Sequence, residues 1–336
     1  MDVSSTAFTA TTTLDLILQQ RYNGFCGGTL CFINMEDTFL RLPSPENLYE
    51  ASTPCESPFF DFDMLSRQAL PGPPLGHMAY LTLISAIWGD VLTFTSRSVH
   101  RPDVGYERIY ETFYAKTYER LDTWLVMLPP NLHYTAPNLD NSIIEGFSGT
   151  FISLHALYHT TIIRLNRHVR VRALPVDKLV RNIDHSLRNA SHFLNMMHSL
   201  AAPNRQRRLP LNTAADFLFS TPFPGYALML AVDVISAVGA KSTLPNLVET
   251  LGTTVSCIEE LANFWASART QHKAITNRVK QLTDIMIQEQ QGVRNGSYGQ
   301  FWRILDGMET AFGNDDIIYK ANEEVLFEVV GRHAGR

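Results

Sequence analysis

From residue 77 onwards, apolar positions recur at steps of three and four along most of the chain. That spacing places them on one face of a helix. The clearest stretch is 146–172, where Phe151, Leu154, Leu157, Tyr158, Ile162 and Leu165 form a single stripe. Its first half is almost uncharged, which predicts a helix enclosed on most sides. Its second half carries Arg164, Arg167, His168, Arg170 and Arg172. Basic groups suit a helix C-terminus, and a capped, solvated basic face is the expected reading. The other helices are expected to pack around this rod.

Before it, Leu81, Ile84, Trp88, Val91 and Thr95 predict a helix from His77 to about His100. A second runs from about Tyr106 to Leu128, with Ile109, Phe113, Leu121, Trp124, Leu125 and Leu128 expected inward. Glu107, Glu111, Lys116, Glu119 and Arg120 are expected to face water. Pro129 and Pro130 stop this helix, and 131–141 reads as a linker. After it, Ile183, Leu187, Ala190, Leu194 and Met197 predict a helix over 176–199, with Pro175 at its first turn. Further helical segments are predicted at 213–218, 226–239, 244–267, 273–289 and 298–311, with a weaker one at 322–330.

Upstream, 12–34 reads as a helix followed by a glycine break. Prolines at 43, 45, 54, 58, 71, 73 and 74 exclude a long helix over 41–76. That segment is expected to run extended over the surface, pinned by Phe59, Phe60, Phe62 and Met64. No period-two alternation bounded by hairpin turns stands out. The fold class predicted is therefore all-α: an irregular multi-helix bundle of about eight to ten helices with proline-rich connections. The organisation expected is a helical N-terminal segment at 1–40, an extended connection at 41–76, a helical body at 77–312 and a tail with a weak helix at 313–336.

Composition narrows the function classes. Of 336 residues, 45% are apolar and 18% charged, a globular balance. A net charge of −5 gives no overall field for nucleic acid. Cys26, Cys31, Cys55 and Cys257 have no CxxC or zinc-finger spacing, and few scattered cysteines favour a reducing compartment. No positively charged leader and no membrane span are read. The most apolar run, from Tyr226 to Ala240, is too short and carries Asp233.

Several motifs come close to chemistry and fall short. His155 and His159 stand at i, i+4 as in a helical zinc site, but Ala156 occupies the position of the base. The preferred reading is two packed, hydrogen-bonded histidines. Gly146-Phe-Ser148-Gly-Thr150 approaches a nucleophile elbow without its last glycine or a preceding strand. A hydroxyl satisfying a free backbone N–H at a helix start is the simpler role for Ser148. Gly24, Gly27 and Gly28 match no phosphate-binding loop. Arg205, Arg207 and Arg208 form a short basic turn. Trp88, Trp124, Trp265 and Trp302 are core candidates first, with Trp88 and Trp124 the two that could line an effector pocket between helices. Candidate effector or partner contacts are thus Trp88, Trp124, His155, His159, Arg164 and Arg167. No catalytic residue, metal or cofactor is expected.

Four pieces, taken in order, resemble a known family. They are Arg41-Leu-Pro-Ser-Pro-Glu-Asn-Leu-Tyr-Glu50; Ile87-Trp-Gly89; the run from Tyr110 to Trp124 with Leu128-Pro-Pro-Asn-Leu-His-Tyr134; and the run from Thr150 to Arg167. Together they are similar to the fungal-specific transcription factor domain, the middle homology region of fungal zinc-cluster regulators. The resemblance implies an all-α, non-catalytic regulatory domain in the nucleus, in the setting of a metabolic or secondary-metabolite gene cluster. The partners implied are other transcription proteins, a homo- or heterodimer, and a small-molecule effector, with no membrane. Members of the family read DNA through a cluster of six cysteines or through zinc fingers. This chain carries no such cluster, so DNA contact is expected to be indirect or through a domain outside this sequence. The alternatives are an all-α enzyme, for which Asp315-Asp316 is the only aspartate pair available to a metal motif, and a helical interaction scaffold outside transcription.

Overall fold

The computed structural model describes residues 40–61, 75–98, 104–170, 173–201, 218–238 and 244–290. Nine α-helices lie among them, with no strand. In chain order they are α1 (Glu46–Glu50), α2 (His77–Ser98), α3 (Tyr106–Met127), α4 (Ala136–Ile144), α5 (Ser148–Arg167), α6 (Val176–Ala201), α7 (Phe223–Val238), α8 (Leu244–Phe264) and α9 (Ala266–Gln290). The all-α expectation is met. The helices predicted over 12–34, 298–311 and 322–330 lie outside the described residues, as does the one predicted over 213–218 apart from Leu218. So do Phe62, Met64, Arg172, the basic turn at 205–208, Trp302 and Asp315-Asp316.

The helix at 146–172 does take the central place. Sixteen of the twenty residues of α5 are buried. It packs against α2, α4, α6 and α7, while α8 and α9 form a hairpin that closes over α6 and α7. Enclosure on several sides explains why α5 reads as apolar all round in its first half. Gly149 sets the approach of the chain before α7: a Cβ there would lie 2.6 Å from the backbone nitrogen of Ser220.

α2 is buried along most of its length, between α3 and α5. By length and composition alone it could cross a membrane, a property that the shorter run at 226–240 lacks. In this fold 83% of its apolar window is covered by the protein itself.

The segment before α2 is not simply extended. Its prolines leave room for the short α1, and an antiparallel bridge joins Arg41 to Phe59. Leu42 and Phe60 are buried and pin it, while Phe59 stays exposed beneath the Arg41 guanidinium. Glu46 makes the decisive contact. Its Oε1 accepts from the Met78 backbone N–H at 2.8 Å, satisfying one of the free donors of the α2 N-terminus. Gly76 leaves just enough room for that carboxylate. Glu46→Ala should therefore cost about 1 kcal/mol, the usual size of a lost cap. The check is the urea midpoint together with proteolysis of 41–60, which should become faster.

Other sequence expectations also need correction. The linker predicted at 131–141 contains a 3-10 turn at Pro130–Leu132 and most of α4. Thr135 caps α4 by accepting from the Asn138 N–H, and Pro137 sits in its first turn, where a missing N–H costs nothing. In α3 the inward face is rotated. Ile109 is 38% exposed, whereas Tyr106, Tyr110, Tyr114, Thr117, Arg120, Leu121 and Trp124 are buried. Arg120 is inside because Asp90 of α2 meets it at 2.9 Å. Finally, Ser148 does not cap α5; its hydroxyl donates to the Leu218 carbonyl at 3.3 Å, and Phe147 stands at the N-cap.

Candidate functional site

The polar groups of α5 fall into two zones, each met by a different neighbour. In the first half are His155 and His159. His155 is buried, with Nε2 3.0 Å from the Leu132 carbonyl. Because a carbonyl can only accept, that nitrogen carries the proton. His159 Nδ1 lies 2.9 Å from Asn189 Oδ1 on α6. Burial holds both rings neutral, driving His155 down to about 3 and His159 to about 4. They share a helix face but serve separate partners. Among the described residues no group of three or more His, Cys, Asp or Glu could hold a metal ion.

The second zone is the C-terminal end of α5. The solvated basic face expected there is not what forms. Arg164 and Arg167 are each only 3% exposed. Arg164 Nε donates to Thr95 Oγ1 at 3.3 Å. Arg167 meets Asp233 of α7 at 3.9 Å, and Arg278 of α9 meets the other oxygen of the same carboxylate at 3.4 Å. Asp233 thus ties together α5, α7 and α9. The reason for the correction is tertiary: a carboxylate on a helix much later in the chain draws the guanidinium inward. His168, next along, is pushed well below the ordinary histidine range by burial and by the charges of Arg164 and Arg167.

The two candidate tryptophans are core. Trp88 is fully buried, edge-on to Phe223. Trp124 is fully buried, its Nε1–H donates to the Tyr80 carbonyl at 3.0 Å, and it stacks on Tyr158. Trp265 lies half-buried between α8 and α9. The six residues singled out from the sequence are therefore not brought together at one surface.

What the structure does bring together is a row of tyrosines that sequence reasoning missed. Tyr106, Tyr110, Tyr114 and Tyr118 stand four apart on α3, with adjacent ring centroids 5.9, 5.7 and 4.5 Å apart. Their hydroxyls meet the end of α5 and one face of α6. The Tyr110 hydroxyl donates to the Leu165 carbonyl at 3.2 Å, one of the acceptors a helix end leaves open. It accepts from Asn182 Nδ2 at 2.8 Å. The Tyr106 hydroxyl accepts from the Arg170 N–H at 3.3 Å. Arg181 lies over the Tyr114 ring, 3.8 Å from its centroid, and grips Glu111 through two hydrogen bonds of 2.9 and 2.8 Å. That grip holds the Glu111 carboxyl below its ordinary range, with Lys178 adding to it. Desolvation pushes the Tyr114 hydroxyl up to about 12. The signal was present in the sequence as tyrosines repeated every four residues. It was obscured because Phe113, Leu125 and Ile109 weigh more on a hydrophobicity scale than a phenol does.

No family model, no curated protein and no solved structure matches this chain.

Proposed function

We propose that this chain is a transcriptional regulatory module of the type found in fungal zinc-cluster regulators, acting through protein contacts. What supports the reading is the way the four family-like pieces are used. They do not scatter over the fold. The 41–50 piece supplies the Glu46 cap of α2. The Ile87-Trp-Gly89 piece is the buried centre of α2. The 110–124 piece carries three of the four tyrosines of the row and Trp124, and the 150–167 piece makes up most of α5. Four weak sequence similarities that converge on one packed unit make a stronger case than any of them singly.

The test is a fusion of the full chain to a foreign DNA-binding domain, with reporter transcription measured across growth conditions. A reproducible rise or fall relative to the DNA-binding domain alone is expected. A fusion that enters the nucleus, binds its site and leaves transcription unchanged in every condition would overturn the proposal.

A further inference from the structure

The side chain His185 of α6 has no part in the reading above. Its Nδ1 lies 2.6 Å from the Tyr118 hydroxyl and 2.8 Å from the Tyr114 hydroxyl, both on α3. Asn166 Nδ2 of α5 donates to the Tyr118 hydroxyl at 3.1 Å, so the phenol proton is left to point at the imidazole. A neutral ring protonated on Nε2 offers a lone pair at Nδ1 and accepts. An imidazolium offers only donors. Protonation would therefore replace the acceptor that the two phenols share with a single N–H, which only one hydroxyl oxygen can accept in line, so at least one of the two loses its partner.

Of the surrounding charges, Arg188 and Arg181 oppose that state and Asp184 favours it. From α3 the titratable groups are Glu111, Tyr110, Tyr114 and Tyr118; from α6 they are Lys178, Arg181, Asp184 and Arg188; from α5 the facing group is Asn166. Both carboxylates are engaged, Glu111 by Arg181 and Lys178 and Asp184 by Arg188. A charged His185 would join three cations facing two carboxylates already in use.

We propose that His185 is an acid-sensitive latch across the α3–α6 seam: the neutral ring holds Tyr114 and Tyr118, and the protonated ring releases them, so the seam opens before the rest of the fold. The Tyr118 hydroxyl also accepts from Asn166 near the end of α5, so opening frees that side chain as well. Burial and the Arg188 charge lower the proton affinity of His185, which keeps the latch closed at neutral pH. This inference stands on the seam geometry and does not rest on the transcriptional reading.

The experiment uses the full chain with labelled histidine and tyrosine. NMR titration and amide hydrogen exchange are followed between about pH 7.5 and 5.5, across the range where histidine changes charge. The Tyr114 and Tyr118 signals should move with the His185 midpoint. Amides over 111–121 and 178–189 should lose protection roughly tenfold more per pH unit below that midpoint than the same amides of His185→Asn, after correction for intrinsic rates, because the variant shares the global acid loss and lacks the titrating ring. His185→Asn keeps an acceptor near the Nδ1 position without titrating, and its seam should open only together with the rest of the fold. Tyr118→Phe removes one donor to the neutral ring and should raise the His185 midpoint by up to about one pH unit. The same acid loss in His185→Asn as in the parent would overturn the latch. So would tyrosine signals that ignore the His185 titration, or a midpoint unmoved by Tyr118→Phe.

Discussion

Between pH 6.5 and pH 4 the fold should lose most of its stability, because three histidines enclosed around α5 are held neutral. The direction follows from the two states. In the unfolded chain each ring titrates near 6.5, whereas in the fold His155 titrates at about 3 and His159 at about 4. Above 6.5 both states are neutral and the stability is complete. As pH falls below 6.5 the unfolded chain binds protons that the folded chain refuses, and the balance tips toward unfolding until the folded values are reached. For His155 the full window is worth on the order of 5 kcal/mol, against a total of about 5–15 kcal/mol for an ordinary domain. His159 and His168 act in the same direction. The Glu111 carboxyl, held low by Arg181, adds its loss further down. Urea midpoints measured in steps from about pH 7.5 to 4 should fall steeply once below 6.5. His155→Gln offers an N–H to the Leu132 carbonyl without titrating, so its profile should be visibly flatter. A midpoint that is level across the series, or one that falls identically in the variant, would show that these rings are not what limits acid stability.

Removing the Asp233 carboxylate should be the most damaging single change in the described helices. Asp233→Ala leaves the guanidinium groups of Arg167 and Arg278, 3% and 4% exposed, without the anion they share. Breaking a buried ion pair from one side typically costs about 3–5 kcal/mol, because the remaining charges stay desolvated. Asp233→Asn should cost nearly as much, since the amide keeps the shape and loses the charge. The double change Asp233→Leu with Arg278→Met should recover part of the loss, since it removes one of the two stranded cations. Chemical unfolding of the three variants distinguishes the cases. If Asp233→Ala falls within about 0.5 kcal/mol of the parent, the usual range for a surface change, the carboxylate is not a structural tie.

The helices themselves were legible from apolar spacing. The predicted spans 77–100, 106–128, 176–199 and 226–239 agree with α2, α3, α6 and α7 to within a turn. α4 was lost because its Pro137 and Asn138 read as loop residues, although proline in a first turn and a Thr cap are start signals. The inward face of α3 was misjudged because hydroxyl-bearing rings gain their place from partners elsewhere, here Asn182, Leu165 and His185. The burial of Arg164 and Arg167 was illegible for the same reason. Periodicity reports what one helix offers, and the deciding groups, Thr95 and Asp233, lie on other helices. Asp233 was noticed only as the charge that spoils an apolar run. In the fold that charge is the reason the arginines can be inside.

The covered position of α2 also bears on how the chain is made. α2 emerges from the ribosome well before α5, the helix that covers much of it. In that interval it is a nascent segment apolar and long enough to be mistaken for a bilayer span. Its apolar surface therefore finds its full cover in this fold only once Arg167, the last residue of α5, has been added.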